Sequence, residues 1–330
     1  MRNTAIDVLT IGNAIVDVLA RVDEEFLSRH DLTKGAMRLI EEPEAHRLYD
    51  LIGPSVIVSG GSAANTAAGI TSFGGRASFI GKVRNDQIGE FFTHDIRASG
   101  VVFETSPSNS GPETARSFIL VTPDGERTMN TYLGACATLS SNDISKLTVE
   151  AAQITYLEGY LWDPPEAKKA FIKAARMARG AGRQVALTLS DALCVERHRQ
   201  SFQDLIARDI DILFANEKEL KSLYEVKTFD DAMQLARKQV GLAVLTRSAA
   251  GSVIAKREEF HVIEAERVEQ VIDATGAGDL YASGFLHGLT RGRSLAECGR
   301  LGSVAAAEVI SHLGARPNTS LVALAASRGL

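Results

Sequence analysis

Apolar and β-branched residues along this chain fall into short runs divided by stretches of helical spacing. "DVLTIG", residues 7–12, is closed by Gly12 and reads as a first strand. "QITYLEG", "QVALTLS", "IDILFAN" and "LAVLTRS" repeat that length and character further on. Amphipathic stretches separate them. "IGEFFTHDIRASG" ends at Gly100, and "PEAKKAFIKAARMARGAG" opens on proline and closes on glycine, as helices do. "NTAAGITSFGG" has helical character and stops at Gly74-Gly75, with "ASFIGKV" a strand after it. Strand and helix in alternation predict a mostly parallel sheet covered on both faces. Ligands of such sheets bind beyond the carboxyl ends of the strands, so polar residues just after a strand carry most weight.

Two segments break the alternation. "KGAMRLI", 34–40, and "ARSFILVTPDGERTMNTYL", 115–133, are β-rich, and the second turns at Pro123-Asp124-Gly125. They predict an antiparallel sheet inserted into the α/β body. A length of 330 residues accommodates one large core or a core with a smaller domain. The formal charge of −5, with no long basic run, argues against nucleic acid or an anionic membrane as the main partner. Cys136, Cys194 and Cys298 are few and scattered, which excludes a disulfide framework or a structural zinc site as the organising feature. The N-terminal apolar stretch is interrupted by Asp7, Asn13 and Asp17, unlike a signal peptide, so a cytoplasmic location is expected.

The chemistry concentrates in five places. In "DATGAGD", 273–279, Gly276, Ala277 and Gly278 leave the backbone N–H groups open to an anion, and the helix that follows adds its positive end. Asp279 beside that hole is placed to take a proton from a hydroxyl attacking phosphorus; a helix N-cap is the plain alternative. "GGSAAN", 60–65, combines glycines that let a sugar approach the backbone with Asn65, whose amide reaches hydroxyls; a tight turn is the alternative. Asn13 and Asp17 follow the first strand, and a carboxylate among Ile15, Val16 and Val18 suits a vicinal diol better than open solvent. Asn216 and Glu219 in "NEKE" suit a magnesium–phosphate site reached through water, or equally a capping box. "TRSAAGS", 246–252, is the weakest of the five, a strand-end turn on its own. "GGRASFIGKV" fails as a P-loop, because Arg76 stands where the first glycine belongs and Val83 replaces the hydroxyl residue. No GxGxxG follows the first strand.

Taken in order, these pieces resemble the ribokinase/PfkB family of carbohydrate and nucleoside kinases, and the resemblance spans nearly the whole chain. "GGSAANTAAGITSFGGRASFIGKVRNDQIGE" is similar to the family's N-terminal signature, "DATGAGDLYASGF" to its C-terminal one, and "NEKE" to its NxxE element. Within the family, "IGNAIVD", "LEGYLWDPPE" and "DILFANEKEL" resemble the adenosine kinase branch. The resemblance implies a ribokinase-like three-layer α/β/α sandwich with a small β-sheet lid. The body would be residues 1–12, 50–100 and 136–330, and the lid 13–49 and 101–135. It implies ATP-dependent phosphorylation of an alcohol, with Mg2+ and a monovalent cation such as K+.

Carried over residue by residue, Asp279 is the base and Gly276, Ala277 and Gly278 the anion hole. Asn13, Asp17, Gly60, Gly61 and Asn65 hold the sugar hydroxyls. Met37, Leu133 and Tyr160 flank a flat base, unless they are ordinary lid packing. Arg127 swings over the transferred phosphate. Asn216 and Glu219 serve magnesium and phosphate, and Thr246, Ser248 and Gly251 border the nucleotide. Ser248 departs from the glycine that many relatives carry there. Ala307 and Ser311 lie near the adenine pocket. The implied partner is a small-molecule nucleoside or sugar, and the chain would be a monomer or a homodimer joined through the lid. Three readings compete: a purine nucleoside kinase with adenosine as leading substrate, a ribokinase- or fructokinase-like free-sugar kinase, and a non-catalytic binder. The intact Asp279 and glycine hole oppose the third, since a pure binder has no use for a base.

Overall fold

The structure, a computed structural model, describes residues 5–330. Residues 1–4, assigned to the body from the sequence, lie outside the described residues. Fourteen strands form two sheets among the described residues. The strands in chain order are β1 (Ile6–Ile11), β2 (Ile15–Arg21), β3 (Met37–Leu39), β4 (Ser55–Ser59), β5 (Ala77–Ile80), β6 (Val102–Phe103) and β7 (Ala115–Val121). They continue with β8 (Arg127–Tyr132), β9 (Ala152–Glu158), β10 (Gln184–Thr188), β11 (Ile212–Asn216), β12 (Leu242–Thr246), β13 (Ser252–Lys256) and β14 (Glu259–Ile263).

The larger sheet runs β14-β13-β12-β11-β10-β9-β1-β5-β6. From β12 to β6 every neighbouring pair is parallel, and β13 and β14 close one edge antiparallel. Its central strands are buried on both faces, which is why they read as nearly continuous apolar runs. Because the seven parallel strands point the same way, the polar residues that end β1, β9, β10, β11 and β12 collect along one rim. The expected helices are present: Ser62–Ser72 stops before Gly74 (φ +80°), Gln87–Ala98 before Gly100 (φ +86°), and Pro165–Gly180 starts on its proline. The three cysteines are buried and unpaired.

The smaller sheet has the order β3-β8-β7-β2-β4. One of its faces covers a second apolar cluster that includes Leu27, Leu48, Phe118 and Leu120. The β7–β8 hairpin turns at Pro123–Gly125, as expected. Three expectations need correction. The sheet is mixed, since β2 pairs with β7 and β3 with β8 in parallel. Residues 55–59, assigned to the body, are the β4 edge strand of the small sheet, and 102–103, assigned to the lid, pair with β5 in the large sheet. Alternation within a run reveals a strand, but its partner is chosen by packing between segments distant in sequence. No helix among the described residues is long and apolar enough to cross a membrane.

Candidate active site

The carboxyl rim of the large sheet and the inner face of the small one enclose a cavity of about 550 Å³. Asp279 stands at its floor in the first turn of the helix Ala277–Thr290. Ser62 Oγ donates to its Oδ1 at 2.6 Å and Asn65 Nδ2 to its Oδ2 at 3.0 Å. Both donors come from the start of the helix Ser62–Ser72, so the two signature segments meet at one carboxylate. Asp279 is not the cap of its own helix; Gly276 holds that place in the left-handed conformation (φ +79°). Burial pushes Asp279 up to about 6, against the Ser62 and Asn65 hydrogen bonds that favour the anion.

Gly276, Ala277 and Gly278 line the cavity beside it. Around Gly278 a side-chain position would be open space, so the backbone there is accessible. Among the described residues the N–H groups of Gly276, Gly278 and Asp279 have no partner, as the first turn of a helix leaves them. An anion of phosphate size fits this cradle. Asp273, at the loop's start, is buried and accepts from Thr275 N and Gly314 N, both at 2.9 Å. Arg127 reaches in from β8: Nη2 lies 2.5 Å from Asp273 Oδ2 and Nη1 donates to Thr275 Oγ1 at 2.8 Å. This arginine therefore ties the small sheet to the glycine loop.

Asn13, Asp17, Gly61 and Asn65 also line the cavity. Asn13 follows β1 and Gly61 and Asn65 follow β4, whereas Asp17, expected after the first strand, lies within β2 of the small sheet, paired with Val58 and Ser117. Gly61 has φ +91°, and a side chain on it would strike the Asn13 carbonyl. Gly60 does not line the cavity; a side chain on it would run into the Asp17 carboxylate. Burial pushes Asp17 up to about 7, Arg316 and Arg127 pull it down, and Asp273 and Asp279 oppose them. The side-chain oxygens of Asn13 and Asn65 are buried without a partner among the described residues. With Asp17 they make a set of acceptors in want of donors, which suits a ligand rich in hydroxyls. Met37, Leu133 and Tyr160 line the same cavity, joined by Ile15, Leu39 and Met129, which the sequence did not single out.

Glu158 was also missed. It ends β9, is buried, and accepts from Asn13 Nδ2 at 2.6 Å and from Ala63 N at 2.7 Å. It thus fastens the Asn13 loop to the start of the helix that carries Asn65. Burial pushes it up to about 7. Its signal was legible: a lone carboxylate at the end of an apolar strand and before a glycine.

On the donor side, Asn216, Glu219 and Thr246 line the cavity. Asn216 and Glu219 form the reciprocal capping box, with Glu219 N donating to Asn216 Oδ1 at 2.9 Å and Asn216 N to Glu219 Oε2 at 3.0 Å. Glu219 is nonetheless a buried carboxylate on the cavity wall, pushed up to about 7 by burial. A carboxylate there without a basic partner suits a hydrated magnesium ion, and the capping box does not exclude that use. Ser248, Gly251, Ala307 and Ser311 do not line the cavity. Gly251 has a packing reason to be glycine, since Ile263 O would lie 2.0 Å from its Cβ.

The pfkB family carbohydrate kinase profile matches residues 53–321, and the chain belongs to that family. Among curated proteins it is similar to adenosine kinase 1 of Arabidopsis thaliana, 27% identical over 93% of this chain and 94% of that one. Among solved structures it is similar to a probable sugar kinase from Rhizobium etli CFN 42, with TM-score 0.95, 50% identity and 99% of each chain covered. It is likewise similar to adenosine kinase from Sinorhizobium meliloti, with TM-score 0.93, 53% identity, and 98% of this chain and 99% of that one covered. The fold is the ribokinase-like sandwich expected, and the chain is a phosphotransferase with an alcohol group as acceptor. Kinases of this family use ATP, usually with Mg2+.

Proposed function

We propose that this chain transfers the γ-phosphoryl group of ATP to the CH2OH of a ribonucleoside, adenosine foremost, an activity of purine salvage. The observation that carries the reading is the half-buried Asp279 held between Ser62 and Asn65 beside the open glycine loop. A hydroxyl oriented by Asn13, Asp17 and Asn65 approaches Asp279, which takes its proton as the oxygen attacks phosphorus. The free N–H groups of Gly276, Gly278 and Asp279 hold the charge that develops on the phosphoryl oxygens, while that of Ala277 is taken by Ala274 O. Magnesium, when bound, neutralises phosphate charge; Glu219 and Asn216 would hold it through water. Met37, Leu39, Leu133 and Tyr160 offer the apolar walls that a flat base needs. The name of the Rhizobium relative favours a second reading, a free-sugar kinase in which those walls are only packing.

The base is tested by Asp279→Asn, which keeps size and hydrogen bonding but cannot accept the proton. Turnover is expected to fall about 10²–10⁴-fold with nucleoside KM changed far less. Wild-type turnover is expected to fall as pH drops through about 6, where the carboxylate takes up its proton. Near-wild-type turnover in the variant means that Asp279 is structural.

A further inference from the structure

Past Tyr160 the cavity wall carries an ion pair that phosphoryl transfer does not use. Asp163 directly follows the turn Gly159–Trp162 at the end of β9, and Arg197 lies on the helix Ala192–Asp209 after β10. Both line the cavity, as do Tyr160 and Ser190. The two strand ends are tied together, since Tyr160 N donates to Ser190 Oγ at 3.3 Å. Arg197 grips Asp163 with a fork, Nε to Oδ1 at 3.3 Å and Nη2 to Oδ2 at 3.0 Å. His198 Nε2 donates to the same Oδ1 at 2.5 Å, while Lys168 Nζ donates to His198 Nδ1 at 3.4 Å. Neighbouring residues on a regular helix point about 100° apart. Arg197 and His198 nevertheless meet one carboxylate, and the helix departs from regular geometry at His198 (φ −126°, ψ 17°).

The pair leaves two groups over. Arg197 Nη1 has no partner among the described residues. Asp163 Oδ1 accepts two hydrogen bonds and Oδ2 one, so Oδ2 keeps room for another donor. A free donor and a free acceptor thus stand together in a pair whose charges offset. Arg127 and Arg197 are the basic side chains of the cavity lining, and Arg127 serves the glycine loop. An arginine already neutralised by a carboxylate is a poor clamp for phosphate. It suits a neutral ring edge on which a donor adjoins an acceptor. Tyr160, three residues before Asp163, is one of the walls offered to a flat base. A free sugar held by Asn13, Asp17 and Asn65 has no ring edge to offer.

We propose that Asp163 and Arg197 read the base of the acceptor, Arg197 Nη1 donating to a ring nitrogen of adenine and Asp163 Oδ2 accepting from the 6-amino group beside it. The proposal rests on the reading of this chain as a nucleoside kinase. It gives the polar edge of the base to one ion pair, whereas Met37, Leu133 and Tyr160 give apolar contact to any flat base.

The test measures kcat/KM for adenosine, for purine riboside, which lacks the 6-amino group, and for ribose, together with ATP KM. Wild type, Asp163→Ala, Arg197→Gln and Arg197→Lys are compared, with thermal melts to confirm folding. Wild type should favour adenosine over purine riboside about tenfold or more, the worth of one hydrogen bond to a charged group. Asp163→Ala should lose that preference, adenosine falling about tenfold further than purine riboside. Arg197→Gln should lower both nucleosides about tenfold, because both keep the ring nitrogens, and Arg197→Lys should recover part of the loss. ATP KM should stay within about twofold throughout. If Asp163→Ala proves unfolded, Asp163→Asn carries the same comparison, since Arg197 and His198 claim its remaining oxygen. A pair that is only structural lowers both nucleosides equally in Asp163→Ala, or neither, and either result overturns the proposal. So does a wild type that uses purine riboside as well as adenosine. A wild type that turns over ribose better than adenosine refutes the nucleoside reading itself, whereas adenosine preferred to ribose with unchanged variants refutes the base-reading pair alone.

Discussion

The acceptor half of the cavity and its nucleotide half are built differently. In the first, Asn13, Asp17, Asn65 and Glu158 are buried, and hydrogen bonds join Asn13 to Glu158 and both Ser62 and Asn65 to Asp279 across segments far apart in the chain. In the second, Thr246 reaches the cavity, whereas Ser248, Gly251, Ala307 and Ser311 stand outside its lining. If the first half takes the acceptor as proposed, side chains fixed within the core hold it, and single replacements there should be severe. On the same proposal the nucleotide meets few of the side chains expected for it, and replacements at Ser248, Ala307 and Ser311 should matter little to its binding.

The sharpest way to break this contrast is Asp17→Ala. It should weaken adenosine binding by roughly 2–4 kcal/mol, because charge-assisted hydrogen bonds are lost and hydroxyls stay unpaired. ATP affinity, measured in the same titration, should hardly move. A matching loss with 2′-deoxyadenosine on the wild type identifies the diol; equal use of the deoxy compound would count against it. Next in size is Arg127→Ala. Turnover should drop about 10- to 100-fold, the worth of one to two charged hydrogen bonds, with adenosine KM little changed. Stability should fall too, since Asp273 is left buried without its partner, and Arg127→Lys with a thermal melt separates the two effects. Loss of affinity alone would make Arg127 a substrate clamp. The smallest effect is expected at Ser248, a non-glycine residue at φ +50°. Ser248→Gly should leave ATP KM within about twofold, as for a surface position, and a larger change would move the nucleotide onto this loop.

The contrast also explains what was legible beforehand. Asn13, Asn65 and Asp279 are legible as polar residues directly after a strand or at a helix start, and Asp17 as a lone carboxylate among apolar neighbours within what the structure shows to be β2. Glu158 carries the same signal, a lone carboxylate ending an apolar strand ahead of a glycine, but its partner Asn13 lies far away in the chain. Ser62 gave no signal at all: a serine after two glycines fits any turn, and only the long-range approach of the helix Ala277–Thr290 turns it into a donor. The body's parallel strands announced themselves as continuous apolar runs. The small sheet did not, since β4 and β6 are short and their partners depend on the closure of segments far apart. At the nucleotide half, glycine carried two meanings. Gly276 is required by a left-handed turn against Ala315, whereas Gly251 is required by the carbonyl of Ile263, and sequence alone does not separate an approach to ligand from an approach to backbone.

The central claim, a kinase whose acceptor is a ribonucleoside, is tested most directly by ADP release with ATP and magnesium across adenosine, guanosine, inosine, ribose and fructose. The highest kcat/KM is expected with adenosine, because the base would add contacts with Met37, Leu133 and Tyr160 that a free sugar cannot make. A higher value with ribose or fructose would contradict it and make this chain a sugar kinase.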